Sequence, residues 1–398
     1  MEQKPNWSNK TIFTGDNLPV MRGMNSESVD LIYLDPPFNS KRDYAAQIGS
    51  KAVGAEFKDT WTLDDIDVEW INLIEQSQPA LHRVLLAATS NSDKSYIVYM
   101  AVRLLEMHRV LKPTGSIYLH CDPTMGHYLK LMLDSVFGRK NFRNEIVWHY
   151  TGGGRSKSYF SKKHDLVFWY SVSHEQCTFN IDQIRVPYRE SSGYAKSGIR
   201  HKNGKKYLPN PKGTPVDDVW AIPIINPMAK ERTGYPTQKP LALLDRIIKA
   251  SSNPGDVVFD PFCGCATTLV AADDLDRRWV GVDISPKAAE LVVSRIEDRQ
   301  GLFREIIHRT DIPKRSDLGK LPPAASPSNR KTLYGEQGGS CAGCQEHFQP
   351  QHLEVDHIIA RTNGGTDHLQ NLQLLCGHCN RIKGDRGMEY LRVKLGLS

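Results

Sequence analysis

The stretch VDLIYLDPPFNS, Val29 to Ser40, limits the fold of this chain more tightly than any other. Val29 and Leu31 to Tyr33 make a run of apolar and β-branched residues, which predicts a buried strand. Asp35 ends the run, and Pro36 and Pro37 follow it. Proline has no N–H to give a sheet, so the strand stops at the carboxylate. The turn beyond is rigid and leads to an aromatic ring, Phe38.

A second strand end repeats the pattern. In DVVFDPFCGCATT, Asp256 to Thr268, apolar residues lead into Asp260-Pro261-Phe262, then a small-residue loop and an apolar helix. Gly264 permits close backbone approach to a ligand, and the helix after it offers unsatisfied N–H groups. A third strand, RWVGVDIS, ends at Asp283, 19 residues beyond Gly264. That is about the spacing at which an acidic side chain meets ribose hydroxyls in a βαβ unit. No G-x-G-x-x-G is present, which disfavours a nicotinamide or flavin dinucleotide and suits a nucleoside without a pyrophosphate.

Strand-like segments (Leu31 to Leu34, Ser116 to His120, Leu166 to Tyr170, Val257 to Phe259, Trp279 to Val282) alternate with helix-like ones (Tyr96 to Leu111, Leu129 to Phe137, Leu241 to Ser251, Pro286 to Arg295). This predicts an α/β sheet with helices on both faces and ligands beyond the carboxyl ends of its strands. His120, Cys121 and Asp122, at one such end, are expected as pocket wall or core. A length of 398 residues allows two or three domains. No apolar run is long enough to span a membrane, and the N-terminus has no apolar signal-peptide core, so a cytoplasmic protein is expected.

Charge is uneven. Between Thr151 and Pro215 twelve Lys or Arg face four Asp or Glu, a local excess larger than the +6 of the whole chain. Tyr159, Phe160, Tyr188, Tyr194 and Tyr207 are interleaved with them. Such a composition suits a surface that grips phosphates and bases, the alternative being a solvated loop-rich insert. A Pro- and Ser-rich linker, 311–332, then separates a domain over 1–310 from a module over 333–398. That module carries Cys341-x-x-Cys344 and Cys376-x-x-Cys379, with 31 residues between the pairs. Four thiolates so spaced predict a structural zinc ion, which a module this short needs to fold. Cys263 and Cys265 have no His or Cys beside them to complete a ligand set and are expected to pack.

Taken together, the first set of motifs resembles the amino-group DNA methyltransferases, which modify N6 of adenine or N4 of cytosine. Asp35-Pro36-Pro37-Phe38 is similar to their catalytic motif, FDPFCGCATT to their S-adenosylmethionine loop, and PTQKPLALLDRII, Pro236 to Ile248, to their cofactor-closing helix. TGDNL, GSIYLHCD and HDLVFWYS match further segments, and the catalytic motif precedes the cofactor loop, the permuted β-class order. The resemblance covers about Thr11 to Arg299. It implies a Rossmann-like methyltransferase sheet, with 151–215 as target-recognition insert. It also implies S-adenosylmethionine held by Asp16, Asp260, Phe262, Gly264, Thr267, Asp283 and Lys239. In the chemistry it implies, Asp35 and the Pro36 carbonyl accept the two N–H bonds of an exocyclic amine, Pro37 stiffens the turn, and Phe38 stacks on the flipped base. Asp as the first motif residue leans toward adenine in double-stranded DNA; N4 of cytosine is the alternative. Methylation of RNA or of a protein amide is a further one, although protein-amide relatives usually begin the motif with Asn. The loop departs from the family in having Cys265 and Ala266 where a second glycine is usual.

The C-terminal module resembles the HNH nucleases in their zinc-stapled ββα form: LEVDHII, a Gly364-Gly365 turn, NLQLLC, then a short helix after Cys379. The resemblance implies that His357 deprotonates the attacking water, that Asn371 orients His357, and that Asp356 and Asn380 hold Mg2+ or a similar divalent ion. Asn380 stands where the family usually has His. The alternative is a zinc module that only binds DNA. His347, His352, His368 and His378 are expected at the surface. A restriction–modification or phage-borne setting is expected by analogy, and a homodimer is an arrangement open to such a chain.

Overall fold

The computed structural model describes residues 4–41, 44–46, 50, 52–53, 56–57, 59–62, 65–151, 156–202, 204–300, 306–318, 322–363 and 365–397. Gly364 of the expected Gly-Gly turn lies outside the described residues.

One sheet organises the large N-terminal part. Its strands are β1 (Thr11–Thr14), β2 (Val29–Leu34), β3 (Leu111–Cys121), β4 (Phe142–His149), β5 (His164–Ser171), β6 (Val219–Ala221), β7 (Val257–Asp260), β8 (Arg278–Asp283) and β9 (Ile307–Arg309). Their spatial order is β6-β4-β5-β3-β2-β7-β8-β1-β9. Strand β5 alone runs antiparallel to its neighbours. Strand β2 lies between β3 and β7 and every one of its residues is buried. A strand paired on both edges and covered on both faces reads as unbroken apolar sequence, which is why Val29 to Leu34 does not alternate.

Helices cover both faces, as the alternation predicts. Helices α1 (Asn17–Gly23), α2 (Asp65–Ser77), α3 (Pro79–Leu86), α4 (Asn91–Val110) and α5 (Gly126–Leu133) stand on one side, where Ile32 and Leu34 pack with Tyr96, Ile97, Met100 and Leu129. Helices α6 (Leu241–Ser251), α7 (Thr267–Asp274) and α8 (Pro286–Gln300) stand on the other, where Leu31 and Tyr33 pack with Leu243, Ile247, Leu269 and Val292. The period of two along β2 sends these pairs to opposite faces. Helix α4 starts where the Ser90 hydroxyl accepts the Asp93 N–H, five residues before the expected start at Tyr96. Helix α5 ends in a single π-turn, Asp134–Gly138.

The basic span 151–215 is not one excursion, because β5 lies within it as a strand of the main sheet. The loop before β5 leaves from one edge of the sheet and the segment after it from the opposite edge. Outside β5 the longer segment holds a 3-10 turn at Ile181–Gln183, a short helix, Gly193–Ser197, and two-residue strands at Ile199–Arg200 and Lys206–Tyr207.

The C-terminal unit is a hairpin and three helices: α9 (Pro327–Glu336), β10 (Leu353–His357), β11 (Leu372–Cys376), α10 (Gly377–Lys383) and α11 (Met388–Leu395). It has its own core of Leu333, Leu353, Leu374, Leu375 and Leu391 around the cysteines. The connection to it is partly docked. Asn25 donates to Ser316, the Ser26 N–H donates to Asp317, and Arg315 pairs with Asp317. Helix α9 begins within the span expected as linker. Among the described residues, no helix is long and apolar enough to cross a membrane.

Candidate functional site

Strands β1, β2, β7 and β8 are parallel neighbours, so their carboxyl ends share one edge. Asp16, Asp35, Asp260 and Asp283 stand at those four ends. Fold topology thus gathers carboxylates that are 267 residues apart at the extremes. A cavity of about 490 Å³ opens there, lined by Asp16, Asp35, Pro36, Pro37, Phe38, Lys239, Asp260, Phe262, Gly264, Thr267 and Asp283. These are all the candidate residues from the N-terminal part, brought into one site.

The cofactor-loop side is rigidly built. Asp283 accepts the Gly264 N–H at 2.8 Å with one oxygen and the Ser285 N–H at 2.8 Å with the other. Burial still pushes its carboxyl up from the usual range. Asp260 accepts the Phe262 N–H, and burial pushes its carboxyl up to about 7, against hydrogen bonds from Thr268 and Phe262. Gly264 has φ +48, and a Cβ there would lie 3.1 Å from the Tyr235 ring, so the position favours glycine. Ala266, where the family usually has glycine, also takes a left-handed φ of +64. Asp16 caps α1 by accepting the Leu18 N–H and is held by Arg103 at 2.7 Å, which also binds Asn17. Arg103, Tyr235 and Asp59 carry no motif signal in the sequence; they emerge from packing.

At the catalytic motif the prolines leave Asp35 pointing into the cavity. Its Oδ2 is 2.5 Å from Lys239 Nζ, while Oδ1 is buried without a hydrogen-bond partner among the described residues. Lys239, expected at the cofactor, is thus bonded to the catalytic carboxylate, with its Nζ 5.3 Å from the Phe38 ring. The turn after Phe38 is clamped by Asp59, which accepts the Asn39 and Ser40 N–H groups at 2.6 and 2.8 Å. Phe38 stacks on His120, ring centroids 6.1 Å apart and planes at 25°. His120 is fully buried, bonded to Tyr33 at 2.8 Å and Asp165 at 3.2 Å. It is a backing wall to the motif, as expected. Burial pushes the Asp165 carboxyl up, but bonds from His120 and Tyr150 and the charge of Lys239 outweigh it and hold it low.

In the C-terminal unit the sulfurs of Cys341, Cys344, Cys376 and Cys379 lie within 4.8 Å of one another. Cys341 Sγ accepts the N–H groups of Gly343 and Cys376, and Cys376 Sγ that of Cys379. A closed set of four thiols of this size fits tetrahedral zinc.

The expectations around His357 need two corrections. Its Nε2 lies 2.7 Å from Asp367, which holds the ring, and Arg361 pairs with the same carboxylate. Asn371 instead bonds both the N–H and the carbonyl of Ile359, fixing the loop two residues beyond His357. The divalent-ion pair is not assembled. Asp356 Oδ2 is taken by the buried Lys383 ammonium at 3.0 Å and by Gln373, and Asn380 donates to Glu354. An ammonium beside the carboxylate opposes a dication, so this arrangement does not fit one. His368 is half-buried, and burial and Arg315 hold its imidazole low.

Comparison with known proteins follows the same division. Residues 29–294 match the N6/N4 family model described as DNA methylase, and residues 341–386 match HNH endonuclease. Type II methyltransferase M.HpaI of Haemophilus parainfluenzae is 30% identical over 293 residues, 73% of this chain and 76% of that protein. DNA adenine methyltransferase YhdJ of Escherichia coli is 28% identical over 321 residues, 79% of this chain and 94% of that protein. The solved PvuII DNA methyltransferase (cytosine-N4-specific) superposes with a TM-score of 0.47 at 16% identity, over 75% of this chain and 90% of that one.

Proposed function

This chain belongs to the N6/N4 DNA methylase family and carries an HNH-endonuclease domain at its C-terminus, and from that premise we propose that it methylates N6 of adenine in double-stranded DNA and cleaves DNA with the second domain. The observation that carries the first activity is the orphaned Asp35 Oδ1, an acceptor buried at the cavity wall. A buried acceptor without a partner is costly unless a ligand completes it. An exocyclic amine donates the missing bond.

The chain's part in the reaction follows from that geometry. S-adenosylmethionine, held along Asp16, Asp260, Phe262, Gly264, Thr267 and Asp283, supplies an electrophilic methyl group. Asp35 accepts one amine N–H and the Pro36 carbonyl the other, which draws the lone pair out of conjugation with the ring. Lys239 holds Oδ2, so Oδ1 is the oxygen that turns to the substrate. Phe38, backed by His120, offers the flipped base a fixed stacking surface. Adenine is favoured by Asp35 and by the kinship with a protein named as a DNA adenine methyltransferase.

In the second domain His357 takes a proton from the attacking water, with Asp367 fixing the imidazole through Nε2. Zinc at the four cysteines holds the unit together. No step is assigned to a divalent ion. A chain that both modifies and cuts, with kin named as Type II methyltransferases, fits a restriction–modification or phage-borne system.

Nucleoside mass spectrometry tests the first activity, on unmethylated duplex DNA incubated with the protein, S-adenosylmethionine and a chelator to suppress cleavage. N6-methyladenine that disappears in Asp35→Ala is the expected result. N4-methylcytosine would overturn the base assignment, and no methylated base would overturn the methylation reading.

A further inference from the structure

The β4–β5 connection leaves the sheet beside the catalytic motif. Strand β5 starts next to the end of β3, with Leu166 opposite Cys121, and β3 in turn pairs with β2, with Leu119 opposite Leu34. The start of β5, where residues 156–163 lead in, therefore stands on the same edge as Asp35, about two strand spacings or roughly 10 Å across the sheet. The rest of the basic span, beyond β5, starts from the opposite edge.

Two adjacent residues of this connection are aromatic and exposed. Phe160 is 99% exposed and Tyr159 67%. Ser156 shapes the turn beneath them: its hydroxyl accepts the N–H groups of Ser158 and Tyr159, and its own N–H donates to Ser161. Lys157 and Lys162 flank the pair, and 151–163 contains no Asp or Glu. Two large rings held in water between cations have no folded-state partner among the described residues that would explain them. A polyanion with apolar faces inside it does.

We propose that Tyr159 and Phe160 form a wedge that enters the base stack of double-stranded DNA at the target pair, occupying the space the extruded base leaves. Lys157 and Lys162 hold the phosphates on either side. This rests on the reading of the N-terminal part as a DNA methyltransferase that flips its base. A base inside a duplex cannot reach Asp35, and unstacking it is an energetic cost that an inserted side chain offsets. The wedge therefore matters in proportion to how firmly the target is paired.

That proportion is the test. Methyl transfer is measured on a matched duplex and on the same duplex with an abasic site opposite the target base. The double variant Tyr159→Ala/Phe160→Ala should lose at least about tenfold in rate on the matched duplex and less than about twofold on the other. Phe160→Trp should keep most of the matched-duplex rate. Lys157→Ala/Lys162→Ala should weaken both substrates alike, increasingly with salt. Equal loss on both substrates in the aromatic variant would overturn the wedge in favour of base reading or simple grip, and no loss on the matched duplex would overturn it outright. A wild-type protein that methylates neither duplex would bring down the methyltransferase reading and the wedge with it.

Discussion

Asp35, partly buried, and Asp260, buried, are carboxylates on one sheet edge, yet their surroundings give them different work. Asp35 is ion-paired through one oxygen and open through the other. Among the described residues no cation pairs with Asp260, and burial pushes it up to about 7 from 3.8. Between those values the folded chain keeps a proton that the unfolded chain has released, so stability falls as pH rises through this window. Asp260→Asn should flatten that fall, read from urea midpoints at pH 4 to 7. In the C-terminal unit, burial pushes the Asp367 carboxyl up, but bonds from His357 and Arg361 outweigh it and hold it low. Asp367→Asn should cut DNA cleavage by about a hundredfold while methylation is unchanged, measured on the same preparation. Asp35 was legible in the sequence because two prolines mark it. Asp367 was not, because nothing near it breaks a pattern; its role comes from a 2.7 Å contact across a loop.

Strands and helices were the most legible level. Strand β2 and helix α6 fall where periodicity puts them, because an apolar stripe of the right period has only one way to be buried. Ile32 is fully buried in the centre of the sheet and packs with the α1 and α4 side. Ile32→Ala should cost about 2–5 kcal/mol, read as a lowered denaturant midpoint with unchanged slope. The basic span was less legible. Its charge and aromatic content were visible, but β5 divides it between two edges of the sheet, and strand direction leaves no mark on composition. In the C-terminal unit α9 starts inside the expected linker, since its start depends on a single side chain, the Ser326 hydroxyl that caps it.

The two units differ in what holds them. The N-terminal sheet is buried on both faces by a large apolar core, whereas the C-terminal unit relies on a small core wrapped around four cysteines. Removing zinc with a strong chelator should unfold residues 341–391 and abolish cleavage, while methylation and the main thermal transition persist. Protease mapping with and without chelator reads this directly. Bonds from Asn6, Asn25 and Ser26 to Lys314, Ser316 and Asp317 pin the connection to the N-terminal unit over roughly 300 residues of sequence separation. The linker reading missed it, because a Pro- and Ser-rich segment looks unstructured until its polar groups meet partners.

Local chemistry was written in the chain: a strand that must end at Asp35, a loop that must bend at Gly264, four thiols at metal spacing. These are short-range constraints on backbone and ligand geometry, and they hold whatever surrounds them. Which oxygen of Asp35 stays free, which carboxylate holds His357, and why Asp356 faces an ammonium depend on side chains that meet from distant segments. Contacts of that kind are fixed by parallel register and close packing, which place Lys239 204 residues away from the carboxylate it holds.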